Sequence, residues 1–107
     1  TGEGIVNHNI LKDSLKVTIR LLAQAVGRTP RTLQKNPESK AVQLGLRKIV
    51  YVYKLLEEML GSKNKALIWL KAPNSEFGGL SPVDIIAKEE IDIVIDYLMD
   101  VKKGALV

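Results

Sequence analysis

The chain has 107 residues, of which 46% are hydrophobic and 26% are charged, a composition that favours one folded domain with a modest core. It contains no cysteine and one histidine, which excludes disulfides and thiolate metal sites and argues against any transition-metal site. No stretch approaches the roughly 18 consecutive apolar residues of a membrane span. We therefore expect a cytoplasmic protein with no metal, no cofactor and no membrane association.

The net charge of +4 is divided unevenly along the chain. Residues 1–74 carry 13 Lys and Arg against 5 Asp and Glu, a net charge of +8, whereas residues 75–107 carry 3 against 7, a net charge of −4. A basic front and an acidic back indicate two surfaces with different partners. A chance fluctuation in a short chain is the alternative.

In the front half, apolar residues at three- and four-residue steps predict a first helix over residues 10–26. Gly27 is a suitable C-terminal stop for it. Thr29 and Pro30 are typical of an N-cap and a first helical residue. That second, short helix must end before Pro37, which disfavours helical geometry in the residue preceding it.

The longest predicted helix spans residues 39–60, where one apolar stripe follows the helical period. Its members are Val42, Leu46, Ile49, Tyr53, Leu56 and Leu60. Gly61 ends this helix, and Ser62 caps the next one over residues 63–71. Because of its width and length, the stripe predicts that this helix is the centre of the core.

Two further helices complete the prediction. Ser81 and Pro82 open a short helix that reaches Ala87. A last helix is expected over residues 88–103, and Gly104 ends it. Alternating β-patterns are missing, so the expected fold class is all-α, a small helical domain.

Residues 20–36 have the spacings of a helix-turn-helix, with small Ala23, the turn glycine Gly27 and the anchor Leu33. The exposed donors to phosphates and base edges would be Arg28, Arg31, Gln34 and Lys35. The usual apolar residue after the turn glycine is replaced by Arg28, and the second helix is short. A helix-turn-helix used only for packing or dimerisation is therefore the alternative.

The segment 66–86 contains the only tryptophan and the only phenylalanine of the chain, Trp69 and Phe77. Pro73-Asn74 and Gly78-Gly79 predict a shaped turn between two helices, in which the Asn side chain bonds back to the backbone. We expect Trp69 to bury against the long helix. Phe77 is either tucked in as a lid or offered to a partner.

This segment and the residues after it resemble the toxin-binding domain of Xre/MbcA/ParS-type antitoxins. The matching residues are Ala66, Leu67, Trp69, Leu70, Pro73, Asn74, Phe77, Gly78, Gly79 and Pro82, with Gly104 at the end. The front half is similar to the helix-turn-helix region of the same family, including Arg31-Thr32-Leu33 and Asn36-Pro37. The resemblance covers nearly all of the chain from about Leu15.

The resemblance implies that the protein neutralises a RES-domain toxin that degrades NAD, by covering the toxin and plugging its active-site entrance with the tail. It also implies a homodimer, a higher toxin–antitoxin assembly, and repression of its own promoter DNA. The expected division is a disordered or vector-derived N-terminus over 1–9, a helix-turn-helix-like region with the long helix over 10–60, and a toxin-binding domain over 61–107.

The expected toxin contacts lie in Phe77, the last helix and the tail. They are Phe77, Asp92, Asp96, Tyr97, Asp100, Lys102, Lys103, Gly104, Ala105, Leu106 and Val107. The residues expected to hold the frame are Trp69, Pro73, Asn74, Gly78, Gly79 and Pro82. The three aspartates form an acidic stripe, for which the alternative interpretation is a solvated helix face. For the tail from 102 to 107, the alternative is a frayed terminus.

No catalytic pattern is present, and we expect a non-enzyme. The pairs Glu57-Glu58 and Glu89-Glu90 point to different helix faces because adjacent residues do not face each other, and no phosphate-binding glycine motif occurs. The first hypothesis is an antitoxin that also binds its operator. The alternatives are a helix-turn-helix repressor without a toxin partner, and a helical scaffold or dimerisation module.

Overall fold

The computed structural model describes residues 4–104. Within this range the elements are α1 (His8–Leu15), α2 (Ile19–Ala25), α3 (Pro30–Lys35), α4 (Lys40–Leu60), α5 (Lys63–Lys71), a 3-10 turn (Ser75–Phe77), α6 (Pro82–Ala87) and α7 (Ile91–Gly104). Every regular element in the described part of the chain is helical, which confirms the all-α prediction.

The first predicted helix, over residues 10–26, is wrong as a single element because α1 and α2 are separate helices. Lys16 ends α1 in the left-handed conformation, with φ of 55°. Thr18 then caps α2, since its hydroxyl accepts a hydrogen bond from the backbone N–H of Leu21 at 3.1 Å. The apolar period runs through the break, which explains why the pattern predicted one helix.

The other predicted boundaries are close to the observed ones. The side chains of Thr29, Ser39, Ser62 and Ser81 each accept a backbone N–H at the start of their helix, as N-caps do. The exception is α7, which begins three residues later than predicted. Residues 88–90 form a turn instead, in which Glu89 has a φ of 62°.

The core is built around α4, which packs against both α5 and α7. Its stripe is buried at Val42, Leu46, Ile49 and Leu56, as predicted, while the more peripheral members of the stripe are partly exposed. One contiguous cluster of buried side chains extends from Leu11 to Leu98. The basic front and the acidic back of the chain therefore share a single hydrophobic core.

Gln43 is a buried polar residue of α4 that ties the N-terminal segment to the core. Its Oε1 accepts a hydrogen bond from the backbone N–H of Val6 at 2.8 Å. Its Nε2 donates to the carbonyl oxygen of Val6 at 3.0 Å and to that of Pro37 at 2.8 Å. The side chain thus satisfies two separate backbone segments that would otherwise lack partners.

Candidate protein-binding surface on the last helix

The outward side of α7 carries two neighbouring rows of side chains. The helix turns Val94 and Leu98 into the core. One outward row is acidic, and the next is apolar. The acidic row contains Asp92, Asp96 and Asp100, and the apolar row contains Ile93, Tyr97 and Val101. We call these two rows together the α7 face.

The apolar row of the α7 face is partly exposed to solvent. Ile93 is 48% exposed and Val101 is 37% exposed, whereas Tyr97 between them is half-buried. A helix that has already buried one side in the core seldom keeps a second apolar row without a partner. The row therefore fits a protein interface better than a solvated surface.

Three aromatic rings hold the centre of the α7 face in place. Tyr97 stacks on Trp69 of α5, with ring centroids 6.3 Å apart and an interplanar angle of 14°. Phe77 meets Tyr97 edge to face at 5.3 Å and meets Trp69 in the same way at 6.2 Å. Such geometries add to the stabilisation from burial alone. The cluster fixes the position of Tyr97 before any partner arrives.

The structure decides between the two placements left open for Phe77. Its side chain is tucked in, with 9% of its surface exposed, so it offers little area to a partner. Trp69 is only partly buried, and its ring contacts are with Phe77 and Tyr97. Phe77 therefore packs on the inner side of the α7 face, against Tyr97.

The loop after α5 is a closed turn that places Phe77 in this cluster. The Oδ1 of Asn74 accepts the backbone N–H of Glu76 at 2.9 Å, which is the bonding back to the backbone that the sequence predicted. The carbonyl oxygen of Asn74 accepts the N–H of Gly79 at 3.0 Å. Gly78 and Gly79 have φ of 67° and 89°, angles that side chains rarely adopt.

The acidic row is only partly compensated. Lys48 of α4 pairs with Asp92 at 3.1 Å, while Asp96 and Asp100 have no ion pair among the residues that the structure describes. Both side chains are exposed. The C-terminal half of the α7 face therefore presents negative charge beside apolar surface.

The first residues of the expected toxin-contacting tail belong to the last helix, which was predicted to reach residue 103. Lys102, Lys103 and Gly104 form the last turn of α7, and Lys102 lies 3.8 Å from Glu58. Cations are favoured at a helix C-terminus by the helix dipole. Ala105, Leu106 and Val107 lie outside the described residues.

A second surface, formed by α2 and α3, carries the residues expected to meet DNA. Ala23 and Leu33 are fully buried between the helices, as their spacing predicted. Gly27 makes the turn with φ of 70°. The candidate donors Arg28, Arg31, Gln34 and Lys35 are all exposed. The two helices have only seven and six residues.

Gly45, in the middle of α4, has a role that sequence reasoning missed. A Cβ atom at this position would lie 2.8 Å from Cγ1 and 3.3 Å from Cβ of Val26, which ends α2. Glycine normally weakens a helix interior, so its presence in α4 was the available signal. It lets Val26, directly after α2, approach the backbone of the central helix closely.

Two classes of site are missing from the part of the chain that the structure describes. No group of three or more His, Asp or Glu side chains converges there as metal ligands would. None of the described helices is long and apolar enough to cross a membrane. The α7 face and the α2–α3 surface are the two functional candidates.

Comparison with known proteins gives a match in the C-terminal part of the chain. Residues 55–104 match the family model described as the antitoxin Xre/MbcA/ParS C-terminal toxin-binding domain. The matched range begins in the last turns of α4 and contains α5, α6 and the whole of α7. It supports the antitoxin family and a toxin-binding role. A search of curated proteins returned no match.

Proposed function

We propose that the protein is an antitoxin that binds and neutralises a toxin through the α7 face. The observation that carries this proposal is the match of residues 55–104 to a toxin-binding domain. Within that range, α7 presents a partly exposed apolar row beside two aspartates that have no ion pair within residues 4–104. The toxin would supply a complementary apolar surface with cationic groups at its edge.

The geometry of the α7 face suits such a complex. Ile93 and Val101 provide apolar area that association would bury. Removal of apolar surface from water is favourable by about 25 cal/mol per Å². Tyr97 lies between them, already held by Trp69, so little of its conformational freedom remains to be lost on binding. A fixed aromatic at the centre of an interface is a typical energetic hot spot.

We further propose that the toxin has a RES domain and degrades NAD, as the resemblance of the 66–86 segment implies. Neutralisation would then place both proteins in the cytoplasm, with the antitoxin acting as a binding protein and not as an enzyme. Lys102 and Lys103 at the end of α7 would lead the final residues towards the entrance of a pocket built for an anionic dinucleotide. A homodimer and a larger assembly with the toxin belong to the same proposal.

Co-expression with the product of the neighbouring open reading frame tests the proposal. We expect a complex that survives purification, together with restored growth and restored cellular NAD. Ile93→Asp should weaken the complex by about tenfold or more, because it places a charge in the apolar row. Ile10→Asp is the matched control. Ile10 is also an isoleucine on the exposed side of a helix, and it is 65% exposed on α1.

Different failures of this experiment have different meanings. A complex that forms and protects growth without restoring NAD would reject the NAD-degrading toxin and keep the antitoxin role. The absence of both complex and protection would reject the antitoxin role. Equal binding by the Ile93→Asp and Ile10→Asp proteins would reject the α7 face as the contact.

A second candidate function, binding of promoter DNA, rests on the α2–α3 surface. Arg28, Arg31 and Lys35 project from a turn and a short helix whose apolar residues are buried. A homodimer would present two such surfaces to the two halves of a palindrome. The short helix would read few base edges, so phosphate contacts would supply most of the affinity.

Electrophoretic mobility shift with the upstream DNA of the operon tests this second function. We expect binding that falls steeply as salt rises, and that the Arg31→Ala/Lys35→Ala protein does not bind. Lys54→Ala/Lys65→Ala removes the same charge from exposed positions of α4 and α5 and should leave binding nearly intact. No shift at low salt would reject DNA binding by this chain.

A further inference from the structure

A groove on the side of the molecule away from the α7 face has no assigned role. It runs between the C-terminal end of α1 and α5 and has a volume of about 370 Å³. Its lining includes the apolar residues Leu67 and Ile68, of which Ile68 is 60% exposed. Lys16 and Lys71 belong to the same lining. A second depression next to it shares Leu67 and adds Lys63. We call the two together the α1–α5 groove.

The charge of the α1–α5 groove is positive and uncompensated. Lys16, Lys63 and Lys71 have no carboxylate within ion-pair distance in the described range 4–104. Lys71 donates instead to the carbonyl oxygen of Lys16 at 2.8 Å, which adds no negative charge. The one acid beside the groove, Asp13, is paired with Lys12 at 2.8 Å. A ligand for this groove must be both apolar and acidic.

The α7 face has that chemistry. Asp96 and Asp100 are exposed and unpaired among the described residues, and Ile93 and Val101 are exposed beside them. The α7 face therefore complements the groove in two ways. Its apolar side chains suit Leu67 and Ile68, and its carboxylates suit the lysines.

The two surfaces cannot meet within one molecule. Leu67 and Trp69 are two residues apart on α5 and so point to nearly opposite sides of the helix. Leu67 lies beside Lys16 in the groove, whereas Trp69 stacks on Tyr97 of α7. We propose that the α1–α5 groove of one copy receives the α7 face of a second copy.

Such a contact joins two different surfaces and is therefore head-to-tail, which produces a closed ring or an open chain of molecules. The uneven charge of the sequence, +8 over residues 1–74 and −4 over residues 75–107, favours this arrangement. This contact is additional to the two-fold homodimer proposed above, which joins like surfaces, and it does not depend on toxin neutralisation. If both occur, the toxin and the second copy compete for α7.

Sedimentation velocity of the full chain, without toxin, tests the contact. In about 50 mM salt, where exposed charges interact over more than 10 Å, we expect the average mass to rise with concentration above that of a dimer of the 11.8 kDa chain. In about 500 mM salt the head-to-tail association should weaken about tenfold or more. An average mass that never exceeds that of a dimer in low salt would overturn the inference.

Charge reversal identifies the two surfaces. Lys16→Glu/Lys63→Glu and Asp96→Lys/Asp100→Lys should each weaken self-association about tenfold or more. An equimolar mixture of the two proteins should associate again. The unmodified α7 of the first protein meets the unmodified groove of the second, and the acidic groove of the first meets the basic α7 of the second. Lys40→Glu/Lys88→Glu changes the charge equally at exposed positions elsewhere and should associate as the unmodified chain does.

Two results of the charge reversals would overturn the contact. One is unchanged association of the Lys16→Glu/Lys63→Glu protein, and the other is a mixture whose average mass stays at that of the separate proteins. Neutralisation of the toxin by the Lys16→Glu/Lys63→Glu protein is a separate readout. It should be retained, so loss of self-association and loss of the antitoxin role are distinguishable.

Discussion

At the scale of single residues, Gln43 shows how one buried amide organises two distant backbone segments. Its three hydrogen bonds reach Val6 and Pro37. We predict that Gln43→Ala lowers the free energy of unfolding by about 1–3 kcal/mol, because these backbone groups lose their partner in a partly buried site. Urea denaturation measures the change.

Gln24→Ala is the matched control for Gln43. Gln24 is exposed on α2, and its replacement should change the free energy of unfolding by less than about 0.5 kcal/mol. Equal unfolding midpoints for the two variants would show that the Gln43 amide stabilises nothing.

Phe77 is the residue at which support and contact can be separated. Its ring is buried against Trp69 and Tyr97. We predict that Phe77→Ala lowers the free energy of unfolding by roughly 3–5 kcal/mol, the usual cost of removing a buried phenylalanine. Thermal or urea unfolding of the protein without its partner measures it. Weaker toxin binding with unchanged stability would make Phe77 a direct contact instead.

At the scale of elements, Gly45 sets how closely α2 approaches α4. Glycine to alanine in a helix interior normally adds about 1 kcal/mol of stability. Here we predict a net loss of about 1–2 kcal/mol for Gly45→Ala, because the new methyl group would overlap Val26. Urea unfolding measures the sign of the change in the free energy of unfolding, and this sign decides between the two effects.

A double-mutant cycle isolates this contact. In a Val26→Ala background, the cost of Gly45→Ala should become smaller or reverse, since the overlapping methyl groups are gone. The same cost in both backgrounds would place the effect elsewhere in α4.

At the scale of the whole molecule, the toxin-binding match covers part of a structure that has one core. It begins at Leu55, inside α4. The preceding turns of that helix bury Leu46, Ile49 and Val52 in the same cluster that contains Val94 and Leu98 of α7. The basic front half is thus part of the support for the α7 face.

We predict that a fragment of residues 55–104 does not fold alone, because it loses most of α4 and exposes the inner side of α7. Circular dichroism should show low helicity and no cooperative thermal transition. A fragment of residues 4–104, which keeps every described helix, should melt as the full chain does. Cooperative melting of the 55–104 fragment would show that the C-terminal half is an independent domain.

The local boundaries of the helices were largely readable from the sequence. Thr29, Ser62 and Ser81 cap the helices they were expected to cap, because a hydroxyl bonds the same nearby N–H groups in any fold. The period of apolar residues likewise identified α4 as the centre of the core. The break at Lys16 was missed, since a left-handed lysine leaves no compositional signal.

The sequence by itself determined the all-α class, most helix ends and the resemblance of the 66–86 segment to a toxin-binding domain, because these depend on contacts within a few residues along the chain. Only the tertiary structure decided that Phe77 is buried beneath Tyr97 and that Gly45 admits Val26. It also decided that the α1–α5 groove and the α7 face lie on different sides of the molecule. Such facts depend on which helices meet, and that is set by packing between residues distant in the chain.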